Sequence, residues 1–184
     1  MNEDERQAFH FFIGAFCIAL LIFFGVEMSA YICGVALVLG LVLLHLKLSG
    51  YSIWPFDWFL SRFERPGVLS GYGAITLAAG VLAILTLLSS EEQMLASLVI
   101  LGFGDAASTF IGKRSKLKLP YSKKKTVRGS VAFFLASLPA ALFAGLPALA
   151  VAFFATIAEG LESGVDDNLI ISLVCVVGFR LIGG

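Results

Sequence analysis

Apolar residues run along this chain in blocks longer than the core face of a soluble helix, interrupted at a few polar points. The first block, Phe9 to Leu46, is broken by Gly25-Val26-Glu27. A helix that crosses the hydrocarbon of a bilayer needs roughly 17–25 mostly apolar residues. The block is about twice that, so it predicts a tight hairpin of two spans, about 9–26 and 28–46. A polar, aromatic connection from Lys47 to Pro66 leads to a third span over about 68–88, which Glu91-Glu92 close off, and a fourth over about 94–111. After a basic stretch, 113–128, two shorter helices are expected at 129–145 and 147–159. Gly145-Leu146-Pro147 separates them, because Gly and Pro punctuate helices. The last span covers about 168–182. The pattern predicts an all-α, polytopic membrane bundle of seven transmembrane helices forming one domain over 1–184.

Composition agrees with the bilayer as solvent. Of 184 residues, 59% are hydrophobic and only 14% charged, against roughly 45–50% and 25% in ordinary globular chains, and the mean hydropathy is +0.94. One small core cannot hide that much apolar surface, which excludes a water-soluble enzyme, a free nucleic-acid binder and a disordered tail. Cys17, Cys33 and Cys175 lie inside apolar runs without metal-like spacing and are expected to be buried free thiols. The opening Met-Asn-Glu-Asp-Glu-Arg lacks the basic n-region of a secretory signal, so the first apolar run is expected to be retained.

Charge placement sets the orientation. With the N-terminus in the cytoplasm, the cytoplasmic segments are the N-terminus, 47–66, 113–128 and 159–167. They hold 12 of the 13 basic residues, Arg65 among them, and leave only Arg180 near the other face. Lys and Arg accumulate in cytoplasmic loops. The basic 113–128 segment and the acidic 159–167 segment then share a face, which suits a metal-bound polyphosphate.

The chemistry is sought among charges that are costly where they stand. Asp105 sits within an apolar helix, where a carboxylate is unfavourable and by default functional. Asp105, Ser108, Thr109 and Gly112 at i, i+3, i+4 and i+7 form one polar, small-residue stripe; helix packing through small residues, with Asp105 hydrogen-bonded across an interface, is the alternative. Glu159, Glu162 and Asp166 repeat that spacing, with Asp167 and Asn168 following; a solvated helix end capped by Asp166 or Asp167 is the alternative. Several carboxylates with an amide oxygen are hard ligands suited to Mg²⁺. The segment 112–130 holds eight basic residues. It would either meet anionic headgroups or, through Lys-Lys-Thr before Gly129, offer cations and free backbone N–H groups to a phosphate. Arg6 and His10 (i, i+4) and His45 are expected to anchor at the interface, as are Trp54, Phe56, Trp58 and Phe59.

Gly104-Asp105, Gly112, Lys124-Lys125-Thr126, Gly129-Ser130, Glu159 and Asp166-Asp167-Asn168-Leu169 resemble the CTP-using membrane lipid enzymes. That group comprises phosphatidate cytidylyltransferases and the dolichol, phytol and diacylglycerol kinases. Arg6-x-x-x-His10 and the Asp-Asp-Asn-Leu run are similar to the dolichol and phytol kinases. The resemblance is dense over 100–169, thin over 1–100, and departs at Arg128, where the family commonly has Glu, and at Ser172, where it often has Pro. It implies a multi-pass cell-membrane enzyme with its site on the cytoplasmic face. There γ-phosphoryl transfer from CTP to a dolichol-like isoprenoid alcohol would use Mg²⁺ as cofactor. In that reading Asp105, Lys125 and Asp166 are catalytic. Asp105, Glu159, Asp166 and Asp167 hold the metal, and Lys113, Lys123, Lys124, Thr126, Arg128, Gly129 and Asn168 bind the nucleotide. A cytidylyltransferase acting on a lipid phosphate, an ion or phosphate transporter, and a non-catalytic subunit stay open. So does a homodimer.

Overall fold

Each apolar block becomes helix, but the breaks between blocks are sharper than the pattern implied. The computed structural model describes residues 3–63 and 71–182. Arg65, Pro66 and the first residues of the 68–88 span lie outside them, as does the side chain of Phe59. Six helices are formed: α1 (Glu3–Leu48), α2 (Phe56–Phe63), α3 (Tyr72–Leu87), α4 (Glu91–Gly112), α5 (Val127–Glu159) and α6 (Asp167–Ile182). An isolated antiparallel bridge, Lys118 to Thr126, is the β-structure among the described residues. The protein is therefore all-α. Three helices, Glu5–Leu48 of α1, α4 and α5, are long and apolar enough to cross a membrane, and α3 is a shorter apolar helix. These mark a membrane protein.

Seven separate spans are not what forms. The first two expected spans share α1 and the fifth and sixth share α5, because a glycine absorbs each reversal with almost no loop. In α1 only Gly25 leaves the helix, at φ 74° and ψ 177°. In α5 the break falls at Ala144 and Gly145, the latter at φ 62°. Gly adopts such positive φ without the Cβ clash other residues meet. Both helices fold back there. Cys17 and Cys33, each eight positions from Gly25, hydrogen-bond through their sulfurs, although a straight helix would hold them about 24 Å apart. Lys125, just before α5, forms an ion pair with Glu159 at its end, a separation of about 50 Å if α5 were straight.

Close backbone approach locks the hairpins to their neighbours. A Cβ on Gly14 of α1 would lie 2.7 Å from the Gly102 Cα of α4, and one on Gly112 would lie 3.3 Å from the Gly129 Cα of α5. Small residues at a crossing let membrane helices pack by van der Waals contact and hydrogen bonds where the hydrophobic effect gives no drive. Phe11 stacks on Phe103 beside the first crossing, with ring centroids 4.6 Å apart. Between the helices lies a dry core of Leu21, Ile84, Leu98, Phe133, Val151, Ile171 and Phe179. All three cysteines are free, Cys17 and Cys175 buried and Cys33 half-buried.

The charged segments gather at one end. Arg62 pairs with Glu5, Lys47 with Asp57, and Lys125 with Asp167. Arg180 lies at the opposite end, where its Nε donates to the Leu87 carbonyl at 2.9 Å. Trp54, just before α2, and Trp58, within it, are exposed at the charged end. His45 is exposed there too.

Candidate functional site

Asp105 owes its position to two local features of α4. Ser90 caps the helix start, its side chain accepting from the Gln93 N–H at 3.2 Å. Ahead of Asp105, residues Ile100–Gly104 widen into a π-helical turn, the kind of insertion that re-aims side chains and is frequent at functional sites. The Gly14–Gly102 crossing sets α1 against this turn. His10, one turn before Gly14, then brings its Nε2 to 3.4 Å from Asp105 Oδ2. Asp105 is 9% exposed.

Glu159 comes to Asp105 from the end of α5 and is 1% exposed. Ser108, one turn beyond Asp105, donates to Glu159 Oε1 at 2.7 Å, so the polar stripe of α4 does face a carboxylate. Asp167 enters from the start of α6. One carboxylate oxygen from each of Asp105, Glu159 and Asp167 lies within 4.8 Å of the other two. Lys125 threads between two of them, its Nζ donating to Glu159 and, at 2.8 Å, to Asp167 Oδ2. Burial works against the charge on Lys125, yet the two carboxylates outweigh it and hold its pKa above the ordinary lysine value.

Asp166 is used differently from its neighbour. Its Oδ1 accepts from Thr76 Oγ1 at 2.8 Å and from the Asn168 N–H at 3.0 Å. It therefore caps α6 and ties it to α3, while still lining the cavity described below. The helical spacing expected for Glu159, Glu162 and Asp166 does not arise, since α5 ends at Glu159. Glu162 lies in the following loop and clasps the lysine segment. It accepts from Ser122 Oγ at 2.8 Å and from the backbone N–H groups of Lys123 and Lys124. The Ser122 hydroxyl and those N–H groups hold its pKa below the usual carboxylate range.

That clasp changes the picture of the basic segment. The N–H groups of Lys123 and Lys124 face Glu162, and the Lys125 N–H donates to Ser122 Oγ at 2.9 Å. Thr126 is the N-cap of α5 and accepts from the Gly129 N–H at 3.1 Å, while Gly129 packs on Gly112. The N–H groups of Lys123, Lys124, Lys125, Val127 and Gly129 are thus already engaged, which shifts phosphate contacts toward side chains. Lys124 and Lys125 line the cavity. Lys113 and Arg114 lie over the Phe110 ring, and Lys123 and Arg128 are exposed outside the cavity lining.

The cavity holds about 730 Å³. Its polar end carries Arg6, His10, Asp105, Lys124, Lys125 and Asp167, and its other end is apolar, between the arms of α1 and α3. Arg6 and His10, whose residue types alone pointed to interface anchoring, belong to this end. Their i, i+4 spacing was the sequence signal for it, together with the buried Gln7 between them. Asn168, 8% exposed, lines the same end, and its Oδ1 has no hydrogen-bond partner. Three carboxylates and an unpartnered amide oxygen are the donor set of a hard divalent cation such as Mg²⁺. The residues present fit one.

No family model matches the chain, and no solved structure matches it. The uncharacterized protein MJ1137 of Methanocaldococcus jannaschii is 30% identical over 177 residues, an alignment that covers 95% of this chain and 91% of that protein. Similarity at that level along nearly the whole of both chains reflects a shared fold, and the protein belongs to the MJ1137 family.

Proposed function

We propose that the protein is a membrane lipid-alcohol kinase that transfers the γ-phosphoryl of CTP to a long-chain isoprenoid alcohol of the dolichol kind, with Mg²⁺. One observation carries this reading: Asp105, Glu159, Asp167 and Lys125 converge at the polar mouth of a cavity that is otherwise apolar. A transporter requires a polar path through the bundle, whereas this cavity ends among apolar side chains. CTP as the donor rests on the likeness of Asp105, Lys124-Lys125-Thr126, Glu159 and Asp166-Asp167-Asn168 to the CTP-using lipid enzymes. The cytoplasmic face is assigned to the charged end, where Lys and Arg accumulate. In the same reading each arm of the two hairpins crosses the bilayer and α2, eight residues long, does not, giving seven crossings from five helices.

Phosphoryl transfer is chiefly positioning and charge neutralisation. Asp105, Glu159 and Asp167 would hold the ion, with Asn168 Oδ1 as a neutral oxygen beside them. When bound, the ion neutralises charge on the triphosphate. Lys124 and Lys125 meet the phosphate oxygens. Asp105, steadied by His10, accepts the proton of the lipid hydroxyl as that oxygen bonds to the γ-phosphorus. The bond from the γ-phosphorus to the bridging oxygen breaks, and CDP leaves with its electron pair. Asp166 serves by fixing the start of α6, which delivers Asp167 and Asn168.

Purified protein supplied with a polyprenol, Mg²⁺ and CTP labelled at either the γ or the α position tests the assignment. Label entering the lipid from the γ position alone is the expected result. Label from the α position on a lipid phosphate, with pyrophosphate released, would make it a cytidylyltransferase instead. Ion flux in proteoliposomes without nucleotide turnover would overturn both.

A further inference from the structure

The apolar limb of the cavity has a length and a shape that the kinase reading does not use. Two stripes at helical spacing face each other across it. On α1 they run from His10 through Ile13 and Cys17 to Leu20, and on α3 from Gly73 through Leu77 to Val81. Cys33 and Ala36, on the returning arm of α1, close the third side. At 1.5 Å per residue the α1 stripe is about 15 Å long and the α3 stripe about 12 Å. Both start at the charged end, where Thr76 of α3 holds Asp166, so the limb descends about half of the roughly 30 Å hydrocarbon thickness. Phe16, which lines its remaining edge, is exposed, which leaves the limb open on that side toward lipid.

We propose that this limb is a binding subsite for a single hydrocarbon chain of the acceptor, anchored by its hydroxyl at Asp105 and enclosed for roughly ten to twelve carbons, at about 1.25 Å per carbon of extended chain. The proposal rests on the kinase reading and deepens it. One chain is specified because the two stripes belong to single helices that face each other, with one returning arm as the third wall. The occupant must be an amphiphile with its polar group at the end of the chain, since the charged residues lie at only one end of the cavity. Beyond Leu20 and Val81 the chain turns out into the bilayer, where further length brings no additional contact with protein. Hydrocarbon gains little by leaving lipid for protein, so selectivity comes from the hydroxyl anchor together with the fit of this first segment.

Cys33 is a built-in reporter, because it lines the limb while Cys175 is fully buried elsewhere. Alkylation of Cys33 in the wild-type protein, held in one detergent throughout, is followed by mass spectrometry against straight-chain alcohols of increasing length and against dodecane. A ligand at ten times its Kd slows alkylation about tenfold. That protection is expected from dodecanol and longer alcohols, with a plateau beyond them, while hexanol and dodecane leave the rate within about twofold. Ala78→Phe, which fills the limb from α3, is expected to raise KM for polyprenol about tenfold and to leave Mn²⁺ binding within about twofold. Unchanged Cys33 alkylation under dodecanol while phosphoryl transfer proceeds would overturn the subsite and leave the kinase standing. Equal protection by dodecane would overturn the hydroxyl anchor. Protection without any phosphoryl transfer would support the subsite and sink the kinase reading.

Discussion

The ammonium of Lys125 stands where two carboxylates would otherwise repel, touching both Glu159 and Asp167. A divalent ion bound by the same oxygens must displace it, which frees the lysine to meet a phosphate. Lys125→Met is therefore expected to raise Mn²⁺ affinity, by about tenfold if the ammonium contributes about 1.4 kcal/mol, and to lower turnover at least a hundredfold. Titration by electron paramagnetic resonance checks the first part, and weaker Mn²⁺ binding would show that the lysine assembles the site instead of competing for it. Asp166 and Asp167 separate in a similar way. Asp166→Ala is expected to cost about 1 kcal/mol of stability through the lost helix cap with Mn²⁺ binding retained, whereas Asp167→Ala is expected to weaken Mn²⁺ binding. Thermal unfolding and metal titration of the pair read this out. Asp105 was legible from sequence because a carboxylate in an apolar helix is costly wherever it points. The division of labour between adjacent aspartates was not, since it depends on Thr76, 90 positions away in the chain.

At the scale of elements, two kinds of joint hold the site together, one of bare backbone and one of charge. The α1–α4 crossing has no room for a methyl group: a Cβ on Gly102 would sit 2.8 Å from the Gly14 Cα, and neither backbone can yield cheaply. Gly102→Ala is expected to cost about 1–3 kcal/mol as overpacking and to move His10 off Asp105, measured as a lower midpoint of thermal unfolding in detergent together with reduced turnover. The second joint is the Glu162 clasp on the lysine loop. Its folded pKa is depressed, by the Ser122 hydroxyl first and then the Lys124 N–H. The clasp therefore stabilises the loop fully above the ordinary carboxylate pKa, and that stabilisation is lost as pH falls through the depressed value. Proteolysis within 113–126 should accelerate below about pH 4 in the wild type, and Glu162→Gln should remove that acid-dependent step. Hydropathy marked where α1 and α5 reverse, at Gly25 and Gly145, but not that helical bonding would carry through to within a residue or two of the reversal. Block length says how much chain is apolar; only a glycine's φ says how tightly it turns.

For the whole molecule the two hairpins have one consequence: α1 and α5 each begin and end at the same face, so the basic connections land there, and the turns at Gly25 and 88–90 carry only acidic side chains, Glu27, Glu91 and Glu92. Glu5, Arg62, Lys47, Asp57, Lys125 and Asp167 meet at that end, and the 88–90 turn with Arg180 lies at the other. Among the described residues, every basic side chain except Arg180 falls in a segment leading to the first end, so on the proposed reading the cost of translocating Lys and Arg puts that end in the cytoplasm. Leu117, on the lysine-rich loop, is exposed, as is Glu91 beside the far turn, and neither touches the carboxylate cluster. A membrane-impermeant maleimide should therefore label Glu91→Cys in intact cells and Leu117→Cys only after lysis. Labelling of both from outside would mean that α4, the helix between the two positions, does not cross the bilayer. The reverse pattern would put the carboxylates and Lys125 on the face without cytoplasmic nucleotide, and a nucleotide-dependent kinase could not work there.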